Sequence, residues 1–103
     1  MKKTLVINTA KTYNLAYDKL LVWASQQGDE VEGYGRQTKI TPFDLLLADR
    51  VLISVIFSWD LDYTEELIKD ALHYECEVSV GGPAIHVNGD YFKQAYPTIE
   101  VVM

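Results

Sequence analysis

The sequence feature that most constrains the fold is the run of residues 51–57, in which every residue except Ser54 is apolar. An unbroken apolar run of this length is typical of a strand that is buried on both faces, whereas a half-buried strand alternates polar and apolar residues. Strands buried on both faces belong to parallel sheets that carry helices on either side. The run therefore predicts the central strand of a parallel α/β sheet.

Strand-like segments and helical patterns alternate along the rest of the chain. The other predicted strands cover residues 4–7, 29–34, 77–80 and 99–103. The predicted helices cover residues 13–27, a short segment begun by the capping sequence Thr41-Pro42-Phe43-Asp44, a segment capped by Asp60 or Asp62, and a short segment capped by Asn88 or Asp90. This alternation predicts one α/β domain over residues 1–103.

Right-handed crossovers leave few arrangements of five such strands. The flavodoxin-like order 2-1-3-4-5 puts the polar second strand at an edge and the apolar third strand in the centre, which predicts a Rossmann-like three-layer sandwich. This fold ordinarily closes with a helix after strand 5, and the sequence stops at Met103. We therefore expect the final helix to be missing and the sheet near strands 1, 4 and 5 to be uncovered. Such an apolar area predicts a homodimer or a docking surface for another domain.

The composition argues against several classes of partner. Fifteen acidic and nine basic residues give a net charge of −6, and the phosphates of nucleic acids or anionic membranes would repel such a surface. The apolar stretches are too short for a membrane span or a signal peptide. The single cysteine, Cys76, excludes an internal disulfide and a multi-cysteine metal cluster. The expectation is a cytoplasmic domain that binds neither nucleic acid nor membrane, with acidic pairs such as Glu65-Glu66 on a solvated surface.

Ligands of open α/β sheets bind beyond the carboxyl ends of the strands, at the switch point between strands 1 and 3. The candidate binding residues are the ones that end or follow strands 1, 3 and 4: Asn8, Thr9, Ser54, Ser58, Trp59, Gly81, Gly82 and Pro83. The glycine pair either lets a flat ligand approach the backbone or forms a tight turn. No nucleophile elbow and no metal-ligand spacing is present, so no catalytic residue is predicted.

Two parts of the sequence point to a known family. The stretch from Leu52 to Leu61, followed by a helix and then by Val80-Gly81-Gly82-Pro83-Ala84, resembles the cobalamin-binding-like domain at the N-terminus of many radical SAM enzymes. Within it, Ser54-Val55-Ile56 is similar to the S-x-L motif of cobalamin-binding domains, and Gly81-Gly82 to their G-G motif.

The resemblance implies a corrinoid held over the carboxyl ends of the strands by Ser54, Ser58 and the backbone of Gly81-Gly82. It also implies a radical SAM catalytic domain as partner, in cis or in trans. The D-x-H-x-x-G motif of cobalamin-binding domains has no counterpart in the loop after strand 1, so no histidine of that loop is expected to ligate cobalt. The chain lacks the CxxxCxxC motif and cannot itself hold an iron–sulfur cluster.

Three functions therefore stay open. The first is an accessory domain that holds a corrinoid and has no catalysis of its own. The second is a cofactor-free domain that docks a protein partner through the same part of the sheet. The third is a small flavodoxin-like binder of FMN or phosphate that uses Thr9 and Thr12.

Overall fold

The computed structural model describes residues 2–36 and 40–102, and it contains a five-stranded, all-parallel sheet of order β2-β1-β3-β4-β5. The predicted flavodoxin-like fold class is confirmed. The elements in chain order are β1 (Lys3–Asn8), α1 (Leu15–Gln26), β2 (Glu30–Tyr34), α2 (Pro42–Leu47), β3 (Arg50–Ser54), a 3-10 helix (Ser58–Asp60), α3 (Leu61–His73), β4 (Glu77–Gly81), α4 (Pro83–Ala95) and β5 (Glu100–Val102). Met103, the predicted end of the fifth strand, lies outside the described residues.

The predicted central strand is β3, which pairs with β1 on one side and with β4 on the other. Its residues 51–54 are buried, as expected for a strand covered on both faces. The strand is shorter than the apolar run, because regular pairing ends at Ser54. Val55 still donates its amide hydrogen to the carbonyl oxygen of Gly81 at 2.9 Å. The end of β3 is thereby tied to the turn that follows β4.

The two faces of the sheet are covered unequally. Leu5, Val51 and Val80 belong to a large core formed with α2, α3 and α4. Val6 and Leu52, which point to the opposite face, form a small cluster with α1. The prediction that strand 1 is uncovered is wrong, because α1 returns the chain from β1 to the edge strand β2 and packs on both. Among the described residues, the uncovered part of that face lies over β4 and β5, beside α1.

Helix α4 begins earlier than the sequence suggested. Asn88 and Asp90 were candidate helix caps, but the helix starts at Pro83, whose fixed φ and missing N–H suit the first helical position. Asn88 instead lies inside the helix with φ −111° and ψ 16°, which marks a kink. Its side-chain Nδ2 donates to the carbonyl oxygen of Ala84 at 2.8 Å. The asparagine therefore satisfies a carbonyl at the kink and does not cap the helix.

Candidate functional site

The loop after β1 is fastened to β3 by buried side chains. Asn14 Nδ2 donates to Asn8 Oδ1 at 3.1 Å and to Ser54 Oγ at 2.9 Å. The hydroxyl of Thr9 donates to the carbonyl oxygen of Ser54 at 3.0 Å. Asn8 Nδ2 also donates to the carbonyl oxygen of Thr12. The structure thus brings together three of the predicted site residues, Asn8, Thr9 and Ser54. The side chains of Asn8 and Thr9 make their hydrogen bonds to other groups of the chain.

Asn14 is a residue of this network that the sequence analysis missed. Its local signal is that of a helix N-cap, and its Oδ1 does accept from the backbone N–H of Tyr17 at 3.3 Å. The same side chain reaches Ser54, forty positions along the chain. An N-cap signal identifies the first role, but no local pattern identifies the second.

Among the described residues, the hydroxyl of Ser54 has no partner for its donor hydrogen. A hydroxyl can donate one hydrogen bond and accept others. Ser54 Oγ accepts from Asn14, and among the described residues it donates to no acceptor. Ser54 is 2% exposed and is one of the residues that line a groove on the sheet surface.

The groove has a volume of about 480 Å³ and lies between α1 and β5, on the face that α1 only partly covers. Small-molecule sites commonly have volumes of roughly 300–1,000 Å³. The strand register makes two rows of its floor, one of Ser54, Gly81 and Val102 and the other of Leu52, Ser79 and Glu100. Helix α1 contributes Ala16, Lys19, Leu20 and Trp23, and Arg50 lies at the amino end of β3.

Gly81 and Gly82 of the predicted site differ in why a glycine is present at each position. Gly82 has φ 116°, and a Cβ there would lie 2.3 Å from the carbonyl oxygen of Val55. The tight turn therefore requires a glycine at position 82 whether or not a ligand is present. A Cβ at Gly81 would meet Val102 at an ordinary 3.4 Å. Gly81 is thus not demanded by the backbone, and its missing side chain leaves the floor low beside Ser54.

The other predicted residues lie at the carboxyl edge and not among the residues that line the groove. Trp59 is 75% exposed, and its ring stacks on Phe57 with centroids 4.4 Å apart and planes 11° apart. Ser58 and Pro83 are also exposed. Of the eight predicted residues, the groove is lined by Ser54, Gly81 and Gly82.

Arg36 connects three segments at the carboxyl edge. Its Nη1 donates to the carbonyl oxygen of Thr9 at 2.9 Å and to Asp60 Oδ1 at 2.7 Å. Its guanidinium carbon lies 4.0 Å from the centroid of the Tyr63 ring. The carboxylate of Asp60, a predicted cap of α3, makes no capping bond and accepts from Arg36 instead. No sequence pattern identifies Arg36, because the residue lies in a polar segment with no recognisable spacing.

The described residues offer neither an evident metal centre nor a reactive thiol. Within residues 2–36 and 40–102, no group of three or more His, Cys, Asp and Glu side chains is arranged to hold a metal ion. Burial raises the pKa of the Cys76 thiol, whose Sγ donates to the carbonyl oxygen of Leu45 at 3.3 Å. No helix in this part of the chain has the length and apolarity to cross a bilayer. The sequence matches no protein-family model, and a search of curated proteins found no similar sequence.

Proposed function

We propose that the chain is an accessory binding module that holds a corrinoid, with the nucleotide tail of the cofactor in the groove between α1 and β5. One observation carries this proposal. Ser54 and Gly81, at which the family resemblance implies contacts with the cofactor, are register partners on β3 and β4 and both line the groove. The resemblance and the geometry therefore point to the same part of the molecule.

The chemistry of the groove suits a flat heterocycle that carries a hydrogen-bond acceptor. The Ser54 hydroxyl is engaged as an acceptor from Asn14, so what it can offer a ligand is its proton. The missing side chain of Gly81 leaves room for a ring beside that hydroxyl. Leu20 and Trp23 supply apolar wall, and each 100 Å² of apolar surface buried there would contribute about 2.5 kcal/mol.

The corrin ring itself would lie over the carboxyl edge of the sheet. The described residues 9–13 of the loop after β1 contain neither an imidazole nor a thiol, the donors that cobalt would prefer. We therefore propose binding without a protein ligand to cobalt from that loop. When bound, a corrinoid supplies methyl-transfer or electron-transfer chemistry, and we assign catalysis to a radical SAM domain in cis or in trans.

A titration of hydroxocobalamin followed by its visible spectrum tests this proposal. Ala16 and Ser25 are both exposed positions of α1, but only Ala16 lines the groove. We expect saturable binding by the wild type, a loss of affinity of at least about tenfold in Ala16→Trp because the indole fills the groove, and wild-type affinity in Ser25→Trp. The proposal is overturned if the wild type does not bind, or if Ala16→Trp binds as well as the wild type.

The cofactor-free interaction domain remains a second candidate because of one specific observation. Among the described residues, no helix covers this face of the sheet over β4 and β5, where α1 leaves the groove open. A parallel sheet normally has both faces covered. The phosphate-binding hypothesis has no comparable support, since the hydroxyl of Thr9 is buried and bonded to Ser54.

A further inference from the structure

Helix α1 carries apolar residues on the side that faces away from its own sheet. The sheet-facing side consists of Tyr17, Leu20, Leu21 and Ala24. Helical periodicity puts Leu15, Lys19 and Val22 on the opposite side, which we call the outer face of α1. Leu15 is 55% exposed and Val22 is 57% exposed. A solvated helix face would carry polar residues at these positions, so the outer face of α1 is suited to contact another surface.

The groove beside α1 has the width of one helix. Its floor spans three strands, and with neighbouring strands about 4.8 Å apart it is roughly 10 Å wide. An α-helix with its side chains is about 10–12 Å across. Trp23 and Val102, on the two sides of the groove, are each about half exposed. The groove is therefore wide enough for one helix to lie beside α1.

We propose that a second copy of this chain fills the groove with the outer face of its own α1. A two-fold axis parallel to the helices and between them would put the α1 of each copy on β3, β4 and β5 of the other copy. The two helices would then form one layer between two sheets. Such an interface uses the same surface on both copies and closes as a dimer.

The charges on the two surfaces support this arrangement. Because α1 returns the chain from β1 to β2, it runs opposite to the strands. Leu20 packs against the cluster that contains Leu52, and the neighbouring Lys19 lines the same groove as Leu52 and Glu100, so we place Lys19 at about the level of the floor row that contains those two residues.

Rotation about an axis parallel to α1 does not change the level of a residue along the helix. In the proposed arrangement Lys19 of one copy faces the groove of the second copy at the level of Glu100, where the two can form an ion pair. The two-fold axis produces this ion pair twice. Leu15, one turn before Lys19, would lie at the level of Val102 of the second copy.

This inference does not rest on the proposed function. The second copy and the cofactor tail would occupy the same groove, so one would exclude the other. A chain that dimerises but never binds a corrinoid would satisfy the dimer proposal alone, and the reverse outcome would satisfy the cofactor proposal alone.

Sedimentation velocity between about 1 μM and about 1 mM protein tests the dimer. We expect the wild type to dimerise within this range. Lys19→Glu and Glu100→Lys should each weaken dimerisation by at least about tenfold, because each puts like charges opposite one another. The double variant Lys19→Glu/Glu100→Lys should restore it. Circular dichroism would verify that each variant is folded.

Two control variants change the net charge by the same amounts as the two single variants, but at positions outside the proposed interface. Lys69→Glu and Glu66→Lys alter exposed positions of α3, which packs on the opposite face of the sheet, and both should dimerise like the wild type. A monomer at all concentrations overturns the proposal. So does a dimer that resists both single changes at positions 19 and 100, or a charge exchange that fails to restore association.

Discussion

The backbone at Gly82 is in a conformation that side chains rarely adopt, with φ 116° and ψ 173°. A Cβ at this position would also lie 2.3 Å from the carbonyl oxygen of Val55. The same carbonyl accepts a hydrogen bond from the backbone N–H of Ala84, so it cannot move without loss of that bond. Gly82 therefore fixes how β3 and the start of α4 approach one another.

Gly82→Ala should lower the free energy of unfolding by roughly 1–3 kcal/mol, because the methyl group adds backbone strain and a steric clash. Gly35→Ala is the matched control, since a Cβ at Gly35 meets no described atom within 4 Å, and its effect should stay within about 0.5 kcal/mol. Urea denaturation monitored by circular dichroism measures both. Equal stability of Gly82→Ala and the wild type would contradict this account of the turn.

The sequence indicates single residues of the site only where a local pattern marks them. Ser54 interrupts an apolar run, and Gly81 ends a strand, so both could be predicted as binding residues at the carboxyl ends of the strands, although the groove that they line could not. Asn14 and Arg36 could not, because their partners Ser54, Thr9 and Asp60 are more than twenty positions away in sequence. A hydrogen bond between distant side chains depends on the packed geometry, which leaves no periodic trace in the sequence.

Helices α3 and α4 are connected through one carboxylate. Glu65 Oε1 accepts hydrogen bonds from the hydroxyls of Tyr91 and Tyr96, each at 2.7 Å. The assignment of Glu65 to a merely solvated surface is therefore wrong. The sequence pattern does not reveal this role, because Tyr91 lies on α4 and Tyr96 directly follows that helix. The hydrogen bond from Tyr96, followed by that from Tyr91, holds the pKa of Glu65 below its ordinary value.

This depressed pKa predicts the sign of a pH effect on stability. The contribution of Glu65 is fully present above the pKa that the group has in the unfolded chain, and it is lost as the pH falls through the lower pKa of the folded state. Between about pH 5 and about pH 3, the unfolding free energy of the wild type should thus fall more steeply than that of Glu65→Gln. Urea titrations across this range measure the slopes. Glu66→Gln should behave like the wild type, and parallel slopes for Glu65→Gln would refute the link.

At the scale of elements, the start of α4 is the clearest failure of sequence reasoning. The segment Gly81-Gly82-Pro83 has the residues of a turn, and it does form one. The same proline is also a favoured first residue of a helix, so turn and helix start share one signal. Ala84 and Ile85 are both buried in the core. Only this packing decides between a turn alone and a helix that starts at Pro83.

At the scale of the whole molecule, the strand order follows from two features of the sequence. Alternation of strands and helices requires parallel crossovers, and a strand that is apolar on both faces must be central. The location of the open face was predicted less well. The helix that joins β1 to β2 has to lie over these two strands, so strand 1 could have been expected to be covered. Side-chain packing then determines where along the strands α1 ends and the groove begins.

The unequal coverage of the two faces has a consequence for how the molecule opens. Among residues 2–36 and 40–102, the core against α2, α3 and α4 contains eighteen buried residues, whereas the cluster beneath α1 contains three. Detachment of α1 would expose little apolar surface, so it should require less free energy than global unfolding. Amide hydrogens of α1 should then exchange with solvent deuterium through partial opening, with protection well below that of β3 and β4. If the amide hydrogens of α1 and β3 had the same free energy of opening, the helix would open only together with the whole molecule. Any molecule that fills the groove should slow hydrogen exchange in α1 before it slows exchange elsewhere.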